Sequence, residues 1–424
     1  MPANVVVGVQ WGDEGKGKVI DILASQADVV ARSQGGNNAG HTVESDGNVY
    51  KLRLVPSGIL YEKTLCLIGC GVVVNPPSLL EEISGLKERG ISCKNLKIDP
   101  RAHIVMPWHI ALDGLSEKER GNAEIGTTKR GIGPCYMDKA ERCGLRMYDL
   151  VNPDTFREKA IAVGKLKNKI ITQVYGEQPL DIEAIIEEYV QYGSALKEYV
   201  DDVSVLLYDR IKQGKNVLFE GAQGTMLDID MGTYPFVTSS HPVSGGVCTG
   251  SGVGPTAIDE VIGVAKAYTT RVGKGNFPTE LFDTTGDLIR ERGHEFGTNT
   301  GRPRRIGWFD SVLLRHAVRT NGLTWLAINK LDTLSGIPTL RVCTAYRLSD
   351  GTLLKNYPAS LEELALCEPV YEDIEGFSED ISGITSYEDL PENCKKYIDR
   401  LEVLCECPIR MVGVGPSRNQ NLTR

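Results

Sequence analysis

The chain has 424 residues, a formal net charge of −9 and 41% hydrophobic residues, the composition of an ordinary globular protein that can bury a core without disulfides. The acidic balance argues against nucleic acid as a partner, because a phosphate backbone requires a basic surface. No stretch approaches the ~20 apolar residues of a membrane-spanning helix. The 11 scattered cysteines are typical of reduced thiols, so we expect a cytoplasmic protein with no membrane partner.

Short apolar runs that end in glycine or polar loops predict buried strands of an α/β fold. The first run, residues 5–10, precedes a glycine-rich turn and a helical pattern that begins at Val19. Residues 153–213 look largely helical, and Asp350-Gly351 predicts a hairpin turn. We expect one large α/β domain, residues 1–424, with a mainly helical insertion around 150–213. The other predicted strands are 29–31, 65–68, 217–219, 261–265, 326–328 and 409–412, and a further predicted helix is 78–89.

The segment GVQWGDEGKGK, residues 8–18, places two acids and two lysines among glycines. Small residues let backbone N–H groups approach phosphate, and the following helix adds its positive end. The match to a phosphate loop ends at Lys18, because Val19 stands where the pattern requires Ser or Thr for magnesium. Ile20 occupies the position of a third dinucleotide-binding glycine, so a nicotinamide dehydrogenase is disfavoured. The segment predicts a phosphate loop of another lineage, with a plain strand-to-helix turn as the alternative.

Three further motifs have chemical meaning. In QGGNNAGHT, residues 34–42, His41 is suited to proton or charge transfer near neutral pH, or is structural. In Asn-Lys-Leu-Asp, residues 329–332, the aspartate can accept two hydrogen bonds that guanine offers and adenine lacks, unless the motif is a solvated turn. The arginines of TNTGRPRR, residues 298–305, can grip a small carboxylate substrate, with a solvated basic turn as the alternative. Two more stretches, residues 126–134 and 219–240, look like ligand loops.

Taken together, these segments resemble the adenylosuccinate synthetase family. WGDEGKGK, NNAGHT, GTTKRGIGP, EGAQGT, GTYPFVTSS, TRVG, FPTEL, NKLD and GVGP occur in the family's order between about Val5 and Pro416. The resemblance implies an α/β fold with a central, mostly parallel sheet flanked by helices and a phosphate-loop-like GTP-binding architecture. It also implies a homodimeric, Mg²⁺-dependent ligase of AMP biosynthesis. Such an enzyme uses GTP to join L-aspartate to inosine monophosphate (IMP) through 6-phosphoryl-IMP, and releases adenylosuccinate, GDP and phosphate.

A GTP-switch GTPase is the alternative interpretation, since it would also explain a phosphate loop and Asn-Lys-Leu-Asp. Asp283-Thr-Thr-Gly286 even imitates the switch motif Asp-x-x-Gly. However, the phosphate loop and Asn329 lie too far apart in the sequence for a compact switch domain, and Val19 removes the usual magnesium hydroxyl. The resemblance is therefore favoured over the switch.

The resemblance also implies a role for each matching residue. The implied catalytic residues are Asp13 as the base, His41 to stabilise phosphate charge, Lys16 and Gln223. Asp13 and the backbone of Gly40 would hold magnesium, and Arg142 would reach IMP from the neighbouring subunit. The implied IMP-binding residues are Asp13, Lys16, Asn38, Ala39, Gly40, His41, Thr128, Arg142, Gln223, Thr238 and Arg302. The implied aspartate-binding residues are Thr298, Asn299, Thr300, Gly301, Arg302 and Arg304. The implied GTP-binding residues are Gly12, Asp13, Glu14, Gly15, Lys16, Gly17, Lys18, Gly40, His41, Thr42, Arg304, Lys330, Leu331, Asp332, Gly413, Val414 and Gly415.

Overall fold

The computed structural model describes residues 3–38, 40–45, 48–297, 301 and 303–424. Its strands are β1 (Ala3–Gly8), β2 (Val29–Arg32), β3 (His41–Ser45), β4 (Asn48–Leu52), β5 (Leu65–Ile68), β6 (Val73–Val74), β7 (Leu96–Ile98), β8 (His103–Ile104), β9 (Val217–Glu220), β10 (Glu260–Lys266), β11 (Thr269–Arg271), β12 (Arg305–Gly307), β13 (Phe309–Asp310), β14 (Trp325–Asn329), β15 (Thr339–Arg347), β16 (Leu353–Leu354), β17 (Glu368–Glu375), β18 (Ile409–Gly413) and β19 (Asn421–Thr423). Its helices are α1 (Lys16–Ala24), α2 (Pro76–Glu88), α3 (Pro107–Arg120), α4 (Ile132–Glu141), α5 (Met147–Leu150), α6 (Pro153–Lys169), α7 (Ile182–Leu196), α8 (Val203–Lys212), α9 (Ser244–Ser251), α10 (Thr284–Arg292), α11 (Ser311–Asn321), α12 (Leu361–Ala365) and α13 (Glu392–Cys405).

The chain divides into two compact units. The first unit comprises Met1–Asn4, Leu23–Ala222 and Thr238–Asp259, and the second unit comprises Val5–Ile22, Gln223–Val237 and Glu260–Arg424. The expected fold class, α/β with mostly parallel strands flanked by helices, is confirmed. The division into one domain with a helical insertion stays a prediction, although most of residues 153–212 are helical, in α6, α7 and α8.

In the first unit, four strands lie in the order β9-β2-β5-β7, and the pairs are parallel. Helix α2 begins where the Asn75 side chain accepts the amide of Ser78 at 3.0 Å, with Pro76 at its first position. These are typical signals of a helix start. The helix buries Leu79, Ile83 and Leu86 in a core that also contains Trp108, Phe156 and Tyr189.

In the second unit, strands lie in the order β19-β18-β14-β10-β1. β10, β14 and β18 are parallel, with Lys266 of β10 opposite Asn329 of β14. Because parallel strands end at the same edge of a sheet, the residues after β14 and β18 lie close together. The predicted hairpin is confirmed, since β15 and β16 pair antiparallel across Asp350-Gly351.

Three local expectations differ from the structure. The first strand covers Ala3–Gly8 rather than residues 5–10, because the amide of Gln10 is bound by the Glu14 carboxylate instead of a neighbouring strand. The segment 126–134 is not wholly a loop, since α4 begins at Ile132. Asp283 is the N-cap of α10, where it accepts the amides of Thr285 and Gly286, so its likeness to a switch motif is a helix start. In the described part of the chain, no helix is long and apolar enough to cross a bilayer.

Candidate active site

The phosphate loop joins the end of β1 to the start of α1 in the second unit. The fully buried Glu14 carboxylate accepts the amides of Gln10 at 3.0 Å and Gly12 at 2.9 Å, and the Lys16 ammonium at 2.7 Å. Asp13 has a φ of 60° and a side chain that is 48% exposed. The Glu14 side chain therefore stabilises the loop from its buried side, whereas the Asp13 side chain lies on its solvent-exposed side. Because the Glu14 carboxylate is occupied within the loop, only the backbone of Glu14 is left for the predicted contact with GTP.

The segment around Gln223 packs against this loop. The Lys16 ammonium donates to the carbonyl of Gln223, and Gln223 itself has a φ of 58°. A Cβ on Gly224 would lie 2.4 Å from the Gln10 oxygen and 2.6 Å from the Gly12 nitrogen. Only glycine permits this approach. The predicted catalytic residues Lys16 and Gln223 are thus brought together.

Asn329 and Lys18 join the phosphate loop to the segments after β14 and β18. The Asn329 side-chain amide donates to the carbonyls of Glu14 at 2.9 Å and Gly15 at 3.2 Å. The Lys18 ammonium donates to the carbonyl of Gly415 at 2.7 Å. Three predicted GTP-binding segments therefore lie together, and Asn329, which the sequence analysis gave no separate role, connects two of them.

Asp332 lies in this cluster with an unsatisfied carboxylate oxygen. Its Oδ1 is buried and has no hydrogen-bond partner among the residues that the structure describes. Burial raises the pKa of Asp332, and the charge of Lys330 opposes this shift. Lys330 has a φ of 66°, and its ammonium donates to the carbonyl of Gly293 at 2.7 Å. An unpaired buried acceptor is costly, so Asp332 is suited to a ligand that brings donors.

Arg304 connects the phosphate loop to the predicted aspartate segment. Its Nη2 lies 2.8 Å from Oδ2 of Asp13, and its Nη1 donates to Oε2 of Glu295 at 2.8 Å. The Gly301 amide donates to the carbonyl of Gly297 at 2.7 Å. The other residues predicted to bind aspartate lie outside the described residues: Thr298, Asn299, Thr300 and Arg302.

In the first unit, residues 34–42 adjoin the segment 126–134. The Asn38 Oδ1 accepts the Gly36 amide at 3.2 Å, and Arg130 donates to the carbonyl of Asn37 at 2.7 Å. The backbone of His41 and Thr42 begins β3, opposite Leu52 and Lys51 of β4. Gly40 is exposed, and Ala39 lies outside the described residues.

Two acids of α3 hold the loop that carries Thr128. Glu117 accepts the amides of residues 125, 126 and 127. Asp113 accepts the Thr127 hydroxyl at 2.8 Å and the Gly131 amide at 2.9 Å. Thr128 is left exposed, and Thr238, elsewhere in this unit, is half-buried. Neither acid was predicted as a site residue, although their spacing of four on a helix was a signal.

Arg142 lies away from Thr128. The two residues flank α4, whose ten residues span about 15 Å. Arg142 has a φ of 68° and lines a cavity of about 480 Å³ together with Lys139 and Arg146. Within its own unit, Arg142 is therefore separated by the length of α4 from Thr128, another residue predicted to bind IMP.

Unusual backbone conformations coincide with the predicted site. Among the described residues, eight non-glycine residues have positive φ, and four of these are predicted site residues. Such conformations cost free energy and persist where the surrounding structure enforces them, commonly at functional sites. The four are Asp13, Arg142, Gln223 and Lys330.

Comparison with known proteins identifies the family. The family model described as adenylosuccinate synthetase matches residues 5–422. The chain belongs to the adenylosuccinate synthetase family. It is 58% identical over 424 residues to the adenylosuccinate synthetase of Caldanaerobacter subterraneus subsp. tengcongensis, with 100% of this chain and 99% of that protein covered. The corresponding protein of Thermoanaerobacter sp. (strain X514) is 57% identical over 422 residues, with 100% and 99% covered.

A solved structure agrees with this assignment. The fully ligated adenylosuccinate synthetase from Plasmodium falciparum has a TM-score of 0.94 and 39% identity, and the match covers 99% of each chain. The chain is accordingly a ligase that joins L-aspartate to IMP at the expense of GTP, a step of AMP biosynthesis. The adenylosuccinate synthetase assignment leaves the GTP-switch alternative without support, as does the helix-capping role of Asp283.

Proposed function

We propose that this adenylosuccinate synthetase binds GTP across the phosphate loop and the segments after β14 and β18. The buried, unpartnered oxygen of Asp332 carries the proposal. Guanine offers two adjacent N–H donors to such a carboxylate, and adenine does not. The GTP phosphates would lie at the start of α1, where backbone amides, Lys16 and Lys18 supply positive charge.

The donor atoms proposed for Mg²⁺ fit that ion. Asp13 offers a half-exposed carboxylate, and Gly40 is an exposed glycine with a backbone carbonyl. Magnesium prefers oxygen ligands and is commonly held by one or two carboxylates together with substrate phosphates. When bound, the ion would neutralise charge that develops on the phosphates. This choice of ligands also agrees with the apolar Val19, which cannot supply the usual hydroxyl.

The chemistry proposed for the residues has two steps. Asp13 takes the proton from the purine ring nitrogen of IMP, and the 6-oxygen attacks the γ-phosphorus of GTP, so that GDP leaves. The amino group of aspartate then attacks carbon 6, and phosphate leaves with the former 6-oxygen. Lys16 and His41 would stabilise the transferred phosphoryl group, since phosphoryl transfer depends mainly on positioning and charge. Phosphorylation converts a poor leaving group into a good one.

Assaying product formation with each substrate omitted in turn tests this function. Adenylosuccinate should form only when GTP, IMP and aspartate are all present. GTP hydrolysis at an equal rate without IMP and aspartate would instead indicate a switch protein. The cytoplasm is the proposed location, supported by the eleven free cysteines, which suit a reducing compartment.

GTP binding should weaken above about pH 8. Burial lowers the pKa of Lys18 to about 8, so the free protein loses this charge as the pH rises past that value. Because GTP phosphates bind the protonated form, the KM for GTP should then rise about tenfold per pH unit. The measurement is KM for GTP between pH 6.5 and 9.5. The Lys18→Arg variant should lack this rise in the KM for GTP. A rise near pH 8 that persists in the variant would reject Lys18 as its source.

Arg304→Leu should impair aspartate binding. Loss of hydrogen bonds to a charged ligand should raise the KM for aspartate by about 10–100-fold, while the KM for IMP changes little. Steady-state titration of each substrate checks this. A normal aspartate titration by a folded variant would contradict the assignment.

Arg142 is proposed to act across a homodimer, a role supported by its distance from Thr128 along α4. Arg142→Leu and Asp13→Ala subunits should each be nearly inactive alone. Mixed dimers would contain one complete site, so random pairing should restore about a quarter of wild-type activity. The experiment mixes the two variants and verifies hybrid dimers by mass spectrometry. Hybrids without activity would rule out a shared site.

A further inference from the structure

A buried group of charges lies behind Arg304 in the second unit. Lys266, the last residue of β10, is 1% exposed, and its ammonium donates to both oxygens of Glu295 at 2.7 and 2.8 Å and to the Thr270 hydroxyl at 2.8 Å. The Tyr268 hydroxyl donates to Oε1 of Glu295 at 2.6 Å. Buried ion pairs contribute little net stability, because desolvation offsets their attraction. A contribution to stability therefore does not by itself explain the presence of these buried charges.

Glu295 and Arg304 contact each other on either side of the predicted aspartate segment in the sequence. The Arg304 amide donates to the carbonyl of Glu295 at 2.9 Å, and Nη1 of Arg304 donates to Oε2 of Glu295 at 2.8 Å. Five of the residues predicted to bind aspartate lie between these two in the sequence. Glu295 and Arg304, which flank this segment in the sequence, are thus joined through both backbone and side chains.

The other edge of the Arg304 guanidinium faces away from Glu295. Its Nη2 pairs with Asp13 at 2.8 Å, and its Nε is buried without a hydrogen-bond partner among the described residues. Nε and Nη2 form the edge with which arginine grips a carboxylate bidentately. Glu295 therefore occupies one side of the guanidinium, and the opposite side is a carboxylate-binding edge whose Nη2 pairs with Asp13 and whose Nε has no partner among the described residues.

The surroundings of Glu295 favour its charged form. Burial alone would raise the pKa of Glu295, but the charge of Lys266 and hydrogen bonds from Lys266 and Tyr268 lower it to about 2. Burial lowers the pKa of Lys266, and the charge of Glu295 opposes that shift. The carboxylate that contacts Arg304 is thus favoured as an anion and is held by hydrogen bonds from Lys266 and Tyr268.

We propose that Glu295 is a positioning residue for the aspartate step: held by Lys266 and Tyr268, it orients the guanidinium of Arg304 toward the substrate carboxylate. This inference rests on the proposed role of Arg304 in binding aspartate. Glu295 touches no substrate in this scheme, and its effect on the reaction passes through Arg304.

Glu295→Gln tests the inference, since it preserves shape and removes the charge. The KM for aspartate should rise about tenfold or more, while the KM for IMP changes less than about twofold, because the change acts through the orientation of Arg304, which is not among the implied IMP-binding residues. Glu291→Gln is the matched control: it makes the same chemical change four residues earlier, at an exposed position in α10, and should leave both KM values unchanged. An unchanged aspartate KM, or an equal rise in the KM for IMP, would overturn the positioning role.

A double-mutant cycle separates this inference from the proposed function. Once Arg304→Leu has removed the guanidinium, adding Glu295→Gln should not raise the aspartate KM further, and additive effects would reject action through Arg304. If Arg304→Leu alone leaves the aspartate KM normal, the proposed role of Arg304 fails instead. If the Glu295→Gln variant does not fold, the Tyr268→Phe variant provides the test of the positioning role. It keeps every charge and removes one hydrogen bond to Glu295, and it should raise the aspartate KM selectively by about two- to fivefold; no selective rise would overturn the inference.

Discussion

Asp332→Asn should reduce kcat/KM for GTP by at least about 100-fold, because an amide N–H₂ would face the N–H donors of guanine in a buried site. The wild-type oxygen is buried and has no partner among the described residues, so bulk water is poorly placed to relieve the mismatch. Xanthosine triphosphate carries a carbonyl where guanine has its amino group. It should therefore become the better phosphoryl donor for the variant. The measurement is kcat/KM for both nucleotides with each enzyme.

The matched control for this prediction is Asp380→Asn. Asp380 is a fully exposed acid whose charge is felt at Asp332, so its substitution removes a nearby charge without removing the proposed acceptor. The control should retain the preference for GTP. Retention of that preference by Asp332→Asn as well would show that Asp332 does not recognise guanine.

The sequence was informative wherever a residue pattern reflects local geometry. Strand β5 was predicted with its observed bounds, and β14 was predicted within one residue at each end, because a short apolar run between polar loops has few alternatives to a buried strand. The motif at residues 329–332 was predicted to follow β14, and it begins on the last strand residue, Asn329. Helices α9 and α11 were not predicted. Helix α9 is rich in glycine, so its sequence resembles a loop, and its conformation depends on its surroundings.

The long-range contacts of the site could not be predicted from the sequence. Nothing near Glu295 in the sequence indicates that it binds Lys266 and Arg304, which lie 29 and 9 residues away. The buried role of Glu14 was also missed, because an acid in a phosphate loop is expected to face its ligand. The fold decides which of the adjacent acids Asp13 and Glu14 points inward, since Glu14 finds backbone amides and Asp13 finds Arg304.

Asp13→Ala should lower kcat by about 10²–10⁴-fold, the range expected when a positioned base is removed. The variant should fold normally, because the Asp13 side chain is 48% exposed and Arg304 keeps its hydrogen bond to Glu295. Melting temperature and steady-state turnover are the first measurements. Asp287→Ala is the matched control, since it removes an exposed carboxylate that also pairs with an arginine, Arg290, in the same unit.

The step that Asp13 serves can be isolated with GTP that carries ¹⁸O between the β- and γ-phosphorus atoms. If Asp13 activates the 6-oxygen of IMP, the wild-type enzyme should scramble the label in the presence of IMP and absence of aspartate, because reversible phosphoryl transfer frees the β-phosphate of GDP to rotate. Asp13→Ala should abolish this scrambling, and so should Asp13→Asn, which keeps the shape of the side chain but cannot accept the proton. Scrambling at the wild-type rate in either variant, with only the later steps slowed, would move Asp13 from the phosphoryl-transfer step to the attack by aspartate.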